Sequence, residues 1–279
     1  MSWLTTPYSR RRLGQLAWGL GWAIALAACR APVADLEPLR IGVNAGNVPW
    51  EFEDENGELV GFEIDLAQAI SEELGREVEF IELPFLELFP AVFSNRIDAA
   101  LSSITITPDR LATLDFAQPY YDSDQSLTVR AASNLTSLAD LRGKIVAVDN
   151  TSTGDQWAQE HQQTYGFAAI MRYEGLEPAM RDLAAGVFDG YISDLPALLY
   201  FTQDREDLVV VERIPTGEQY SIMFAKGNPL RDEVDAAITT LKQNGRLAAI
   251  YTQWFGSEPG PTTATVNVLP VPSSPEPRP

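Results

Sequence analysis

Cysteine and histidine are nearly missing from this chain of 279 residues, with one of each, Cys29 and His161. A lone cysteine cannot close an internal disulfide. A lone histidine leaves no histidine pair for a metal, and His161 lies in a polar helical stretch where a surface place is expected. No CxxC, no Gly-x-Ser-x-Gly and no glycine-rich phosphate loop occurs. Neither a metal nor a cofactor is therefore expected. Positive charge is also scarce, at 20 Lys and Arg against 39 Asp and Glu, for a net charge of −19. So acidic a chain argues against nucleic acid and against anionic membrane surfaces as partners, and its plain meaning is solubility. Nothing after Gly256 is apolar and long enough to span a membrane, which disfavours a membrane-tethered sensor domain.

The amino-terminal 28 residues read as an export signal rather than as fold. Arg10, Arg11 and Arg12 make a basic region, followed by a mostly apolar run, Leu13 to Ala28, too short for a comfortable span. Leu26-Ala27-Ala28-Cys29 looks like a bacterial lipobox, which implies a lipid on Cys29 as the mature amino terminus. Ser9-Arg10-Arg11-Arg12-Leu13 weakly resembles a twin-arginine signal. Loss of residues 1–28 would remove three arginines and no acid, leaving the chain more negative still. Residues 29–37 are expected to be a tether. Residues 257–279 hold seven of the nineteen prolines and are expected to be disordered.

Between these ends, 45% hydrophobic content suffices for two modest cores. The stretch that organises the chain is Asp98 to Arg110. It begins as an apolar strand, Ala99 to Leu101, and turns polar through Ser102, Ser103 and Thr105. Thr107 suits an N-cap and Pro108 the first helical position. Arg110 in the first turn is poorly placed for the helix dipole. That placement makes sense if Arg110 and the free N–H groups face one anion, with the hydroxyls of Ser103 and Thr105 beside it.

The rest alternates strand and helix. Leu39 to Val43 is strand-like. Leu66, Ile70 and Leu74 form one helical stripe that Gly75 closes. Val78 to Leu83 is a strand, and Leu86 to Phe93 lies in a helix. A strand is expected around Leu127 to Arg130, then Gly143 to Val148, a turn through Asn150-Thr151-Ser152-Thr153, and a helix. Gly190 to Asp194 is a strand before a helix begun by Pro196. Helices from Leu230 to Asn244 and up to Phe255 end the pattern. This alternation predicts an α/β protein with largely parallel sheets.

Gly61-Phe62-Glu63-Ile64-Asp65-Leu66-Ala67, the Asp98–Arg110 stretch, Pro119-Tyr120-Tyr121, Lys226-Gly227-Asn228-Pro229-Leu230 and Trp254-Phe255-Gly256 stand in a familiar order. They resemble the polar amino-acid family of ABC-transporter solute-binding proteins, over about residues 38–256. The resemblance implies a two-lobed periplasmic-binding-protein (Venus-flytrap) fold joined by two hinge strands. Lobe 1 would be 38–124 plus 224–256 and lobe 2 would be 129–219, with crossings near 123–130 and 218–224. It implies a monomer that binds a free amino acid and hands it to a membrane permease, on the outer side of the membrane and without catalysis.

Residue by residue, the resemblance makes Arg110 the arginine for the α-carboxylate, flanked by Ser103 and Thr105. Asp194 becomes the acid for the α-ammonium, although an Asp before a Pro-initiated helix also suits an N-cap. Ser152 and Thr153 match a helix N-terminus that donates to the carboxylate, with Thr151 where a glycine is usual. Phe85 matches an apolar wall. Asn44 and Asn47 stand where many relatives carry an acid and an aromatic, which points mildly away from a strictly cationic ligand and makes glutamine the first expectation. Trp50 lines the pocket or packs in lobe 1. The rival from another class is a periplasmic prephenate or arogenate dehydratase, whose acid would have to be Glu174 or Asp149.

Overall fold

The computed structural model describes residues 36–273. The export signal, Cys29 and most of the tether lie outside them, as do residues 274–279. In chain order the strands and helices are β1 (Leu39–Val43), β2 (Phe52–Glu53), β3 (Leu59–Val60), α1 (Phe62–Leu74), β4 (Val78–Glu82), α2 (Phe85–Phe93), β5 (Ala99–Ala100), α3 (Pro108–Thr113) and β6 (Leu114–Phe116). Then come β7 (Tyr121–Arg130), β8 (Ile145–Asp149), α4 (Thr153–Tyr165), β9 (Ala169–Tyr173), α5 (Leu176–Ala185), β10 (Gly190–Asp194) and α6 (Leu195–Thr202). The last are β11 (Leu208–Tyr220), β12 (Met223–Ala225), α7 (Leu230–Gln243) and α8 (Arg246–Phe255).

Two five-stranded sheets result, in the orders β4-β1-β5-β12-β6 and β11-β7-β10-β8-β9. Each belongs to one lobe of a two-lobed α/β fold. The strands linked by helical crossovers are parallel: β1 with β4 and β5, and β8 with β9 and β10. The remaining pairs are antiparallel, so the sheets are mixed rather than largely parallel. The difference arises where the chain changes lobe. Only four residues, Ala117 to Tyr120, separate β6 from β7, with no helix to return the chain.

The lobes are joined by β7 and β11, both longer than the local pattern suggested. They pair from Tyr121↔Tyr220 and Ser123↔Glu218 through to Arg130↔Leu208, with two irregularities. Trp50 is fully buried at the lobe 1 end of this ribbon, edge-on to Tyr121 at 4.7 Å and to Tyr220 at 5.3 Å. Of its two expected places, it takes the core. Gly61 (φ 146) admits the chain there, because a Cβ would stand 2.0 Å from Trp50 O.

The expectation of a disordered tail fails for residues 257–273. Ala264 and Thr265 are buried against lobe 1. Thr265 Oγ1 donates to Tyr120 O (3.1 Å), and Ala264 N to Asp122 Oδ2 (2.7 Å). The buried Lys242 ammonium donates to Gln118 Oε1, Pro119 O and Asn267 O at 2.7–2.9 Å. Proline lowers the entropy lost on docking, so backbone hydrogen bonds suffice where apolar side chains are few. His161 is half-buried, stacked on Trp157 at 4.2 Å, with Nδ1 donating to Trp157 O.

Candidate functional site

A cavity of about 580 Å³ opens between the lobes. All nine residues singled out in the sequence line it: Asn44, Asn47, Phe85, Ser103, Thr105 and Arg110 from lobe 1, and Ser152, Thr153 and Asp194 from lobe 2. A larger hollow, about 850 Å³, lies by the hinge among Tyr121, Tyr200, Tyr251 and Trp254. It has no opposed pair of free charges, so the chemistry is in the smaller cavity.

On lobe 1, Thr107 caps α3 by accepting from Arg110 N (3.2 Å), as its place in the sequence predicts. That bond uses the amide expected to help hold an anion. The helix has only six residues, so Arg110 is as near its last turn as its first and the dipole argument is weak. The guanidinium itself is distinctive. Nη1 donates to Thr105 O (2.7 Å), and its carbon lies 5.7 Å and 5.4 Å from the ring centroids of Phe85 and Phe89. Among the described residues no carboxylate forms an ion pair with it. Burial lowers its pKa from the ordinary arginine value, opposed by Glu218 and Asp194. Such a cation is set to receive an anion.

On lobe 2, Asp194 ends β10. It is not the side-chain N-cap of α6. Its Oδ1 accepts from Gln125 Nε2 and its Oδ2 from Tyr220 OH, both at 2.6 Å. Burial, then the nearby charge of Glu218, pushes its pKa up to about 7. Ser152 caps α4 by accepting from Asp155 N (3.0 Å). Thr151 keeps a left-handed backbone (φ 59) without being glycine, its hydroxyl donating to Asn150 O (2.7 Å). The backbone bend expected of glycine there is thus present.

Asn47 is spent within the protein: Nδ2 donates to Glu51 Oε1 and Ser103 Oγ, both at 3.1 Å. Three acids near the cleft were not singled out in the sequence. Glu218 accepts from Thr105, Thr153 and Gln125. Its one signal was an acid in a strand expected to cross between lobes. Glu51 and Glu63 lie fully buried under the Ser102–Ser103 turn. Glu63 had a signal, since it falls three residues before Leu66 on the apolar stripe of α1, where an acid must be buried.

Similarity to known proteins agrees with this geometry. The chain is 30% identical to the arginine-binding extracellular protein ArtP of Bacillus subtilis, over 84% of this chain and 94% of that one. It is 32% identical to the L-arginine-binding protein of Pseudomonas aeruginosa, over the same shares. An ancestral arginine-binding protein solved with arginine superposes with a TM-score of 0.75 and 34% identity, covering 80% of this chain and all of that one. The model of the bacterial extracellular solute-binding proteins, family 3, matches residues 39–257, and the chain belongs to that family.

Proposed function

We propose that this protein is the receptor of an ABC importer and binds a free basic amino acid, arginine foremost, between its lobes. The observation that carries the reading is Arg110 and Asp194, held on opposite lobes, facing one cavity and free of ion pairs among the described residues. The α-carboxylate pairs with Arg110, beside Ser103, Thr105 and the start of α4 at Ser152 and Thr153. The α-ammonium pairs with Asp194.

The cavity wall carries five acids, Glu82, Asp149, Glu174, Glu177 and Asp194, and one cation, Arg110. The ligand's zwitterion accounts for one of each. Of the acids left over, the exposed Glu82, Glu174 and Glu177 favour a positive side chain lying along Phe85. This charge count outweighs Asn44, which alone pointed to glutamine. Arginine binding by the relatives supports the same choice.

Binding from both lobes favours a closed state, because only there are both ends of the ligand satisfied. No bond is made or broken. The protein acts as a monomer outside the membrane, held by a lipid on Cys29, and delivers its ligand to a permease. The test is a thermal-shift screen of the common amino acids, since a ligand at 100 times its Kd stabilises the fold by about 2.7 kcal/mol. Arginine should give the largest shift, and glutamine a smaller one. No shift with any amino acid would overturn the reading.

A further inference from the structure

Glu51 and Glu63 are both 0% exposed and lie within a fold where neither forms an ion pair among the described residues. Glu63 is surrounded by donors. Ser103 N–H donates to Oε1 (2.9 Å) and Oε2 (3.1 Å), and Tyr120 O–H donates to Oε1. Glu51 Oε1 accepts from Ser102 O–H (2.5 Å) and Asn47 Nδ2 (3.1 Å). Glu51 Oε2 receives no donor. As a carboxylate it would be a buried charge with an orphaned oxygen beside a second buried charge. As a carboxylic acid it donates to Glu63, its neighbour in the same hydrogen-bonded group.

We infer that Glu51 and Glu63 share one proton, with Glu51 the acid and Glu63 the carboxylate, and that the pair fixes the Ser102–Ser103 turn lining the ligand cleft. Ser103 stands at φ 43, a conformation that costs free energy unless its surroundings hold it. Glu63 holds its amide, and Asn47, itself bound to Glu51, holds its hydroxyl. Ser102 is tied to Glu51 directly. Both glutamates are therefore positioning residues, which touch the turn and not the ligand.

The same conclusion follows from charge. Burial raises Glu51 well above the ordinary carboxylate value, and the charge of Glu63 raises it further. The other titratable group facing the pair is Tyr120, whose hydroxyl is likewise pushed up by burial and by Glu63. Among the described residues no cation pairs with either glutamate to offset a second negative charge. In the unfolded chain Glu51 ionises near the ordinary glutamate value of 4.5. The folded protein therefore binds one more proton than the unfolded one above that pH. Its stability relative to a variant without that proton must fall as pH rises.

The test uses Glu51→Gln and Glu51→Ala in the full chain. Glutamine keeps an acceptor for Ser102 and Asn47 and a permanent donor toward Glu63. Chemical denaturation without ligand is followed from about pH 5 to about pH 8. The folding equilibrium of Glu51→Gln should gain on the wild type by up to tenfold per pH unit across this range. A gap that does not change with pH would overturn the shared proton, whatever the ligand proves to be. Calorimetric titration with arginine is the second measurement and rests on the receptor reading. Glu51→Gln should bind within about threefold of wild type, whereas Glu51→Ala, leaving buried donors unpaired, should lose about tenfold or more. Equal losses in both variants would overturn the positioning role. No arginine binding by wild type, with the pH-dependent gap intact, would instead count against arginine alone.

Discussion

Thr105 and Thr153 stand on opposite lobes and donate to the same atom, Glu218 Oε2, each at 3.1 Å. Gln125 Nε2 donates to that carboxylate as well, and to Asp194. One hinge-strand acid therefore ties both walls of the cleft together and loads Asp194 with negative potential. On the proposed reading, the ligand's carboxylate would call on the same hydroxyls as this internal one.

The consequence is a measurable shift at Asp194. Glu218 is the second cause of its raised pKa, after burial. Glu218→Gln removes that charge and should lower the Asp194 pKa from about 7. Binding of arginine at acidic pH should then strengthen relative to wild type. Calorimetry at two pH values checks it. An unchanged pH dependence would show that Glu218 does not act on Asp194.

Asp194 itself gives binding a pH signature. Its pKa is raised from 3.8 to about 7, so near pH 6 the empty protein holds a proton on it. A ligand ammonium requires the carboxylate and expels that proton. Affinity should rise with pH by up to about tenfold per unit below the folded pKa and flatten above it. Titration in buffers of different ionisation enthalpy should reveal close to one proton released per ligand. In the unliganded protein the sign is opposite. The raised pKa contributes stability that is full below pH 3.8 and lost as pH rises toward about 7. Asp194→Asn should abolish both trends.

The linear pattern of the chain made much of this legible. The Thr107 cap, the Gly75 stop and the turn before α4 are local devices, decided within a few residues, and the structure has them. Arg110 stood out because a cation in a first helical turn is poorly placed for the dipole, and Asp194 because a strand ending in an acid matched the family pattern. What stayed hidden depends on partners distant in sequence. Glu218 gains its meaning from Thr105, 113 residues away, and Glu51 from Ser102, 51 away. The tail misled for the same reason. Its composition lacks a core, and its hydrogen bonds go to a lysine and a hinge whose location composition does not encode.

Removing Arg110 should cost binding and spare the fold. The guanidinium holds one backbone carbonyl, and its other donors face the cleft. Breaking a buried ion pair with the ligand costs about 3–5 kcal/mol, or roughly a hundred- to several-thousand-fold in affinity. Arg110→Lys should recover only part, because an ammonium cannot form the two-pronged contact. Calorimetry with circular dichroism as the fold control tests this, and unchanged affinity in Arg110→Ala would refute the assignment.

Ending the chain at Gly256 should lower stability, not specificity. Lys242 would lose Asn267 O, Tyr120 O would lose Thr265, and Asp122 would lose Ala264 N–H. Tyr120 O and the Lys242 ammonium are buried, and leaving such groups unpaired costs about 1–3 kcal/mol each, whereas Asp122 is exposed and water replaces its lost partner. Lys242 adds a pH mark. Burial pushes its pKa down to about 8 from 10.5, so its burial penalty is full below pH 8 and is relieved as pH rises toward 10.5. Water admitted by the truncation should weaken that alkaline gain. Melting curves at pH 7 and pH 9.5 compare the two, with arginine affinity expected to be equal.

The rival chemistry on this fold can be tested at Glu174 and Asp149. Both acids line the cleft, as acid catalysis of a dehydration would require. The two acids sit in different settings. Glu174 is exposed and accepts from Asn150 Nδ2 (2.8 Å). Asp149 is raised by burial and so does hold a proton more readily, and its Oδ2 accepts from Ser193 Oγ (3.0 Å). A receptor needs both ends of an α-amino acid. Prephenate has no ammonium to pair with Asp194, so a receptor for α-amino acids should ignore it. Incubation with prephenate and with arogenate, followed by ultraviolet absorbance for an aromatic product, should show no turnover above Glu174→Gln and Asp149→Asn controls. Arginine in the same preparation should be recovered unchanged after it has compacted the protein in small-angle scattering. Product formation that disappears in either control would replace the receptor with an enzyme.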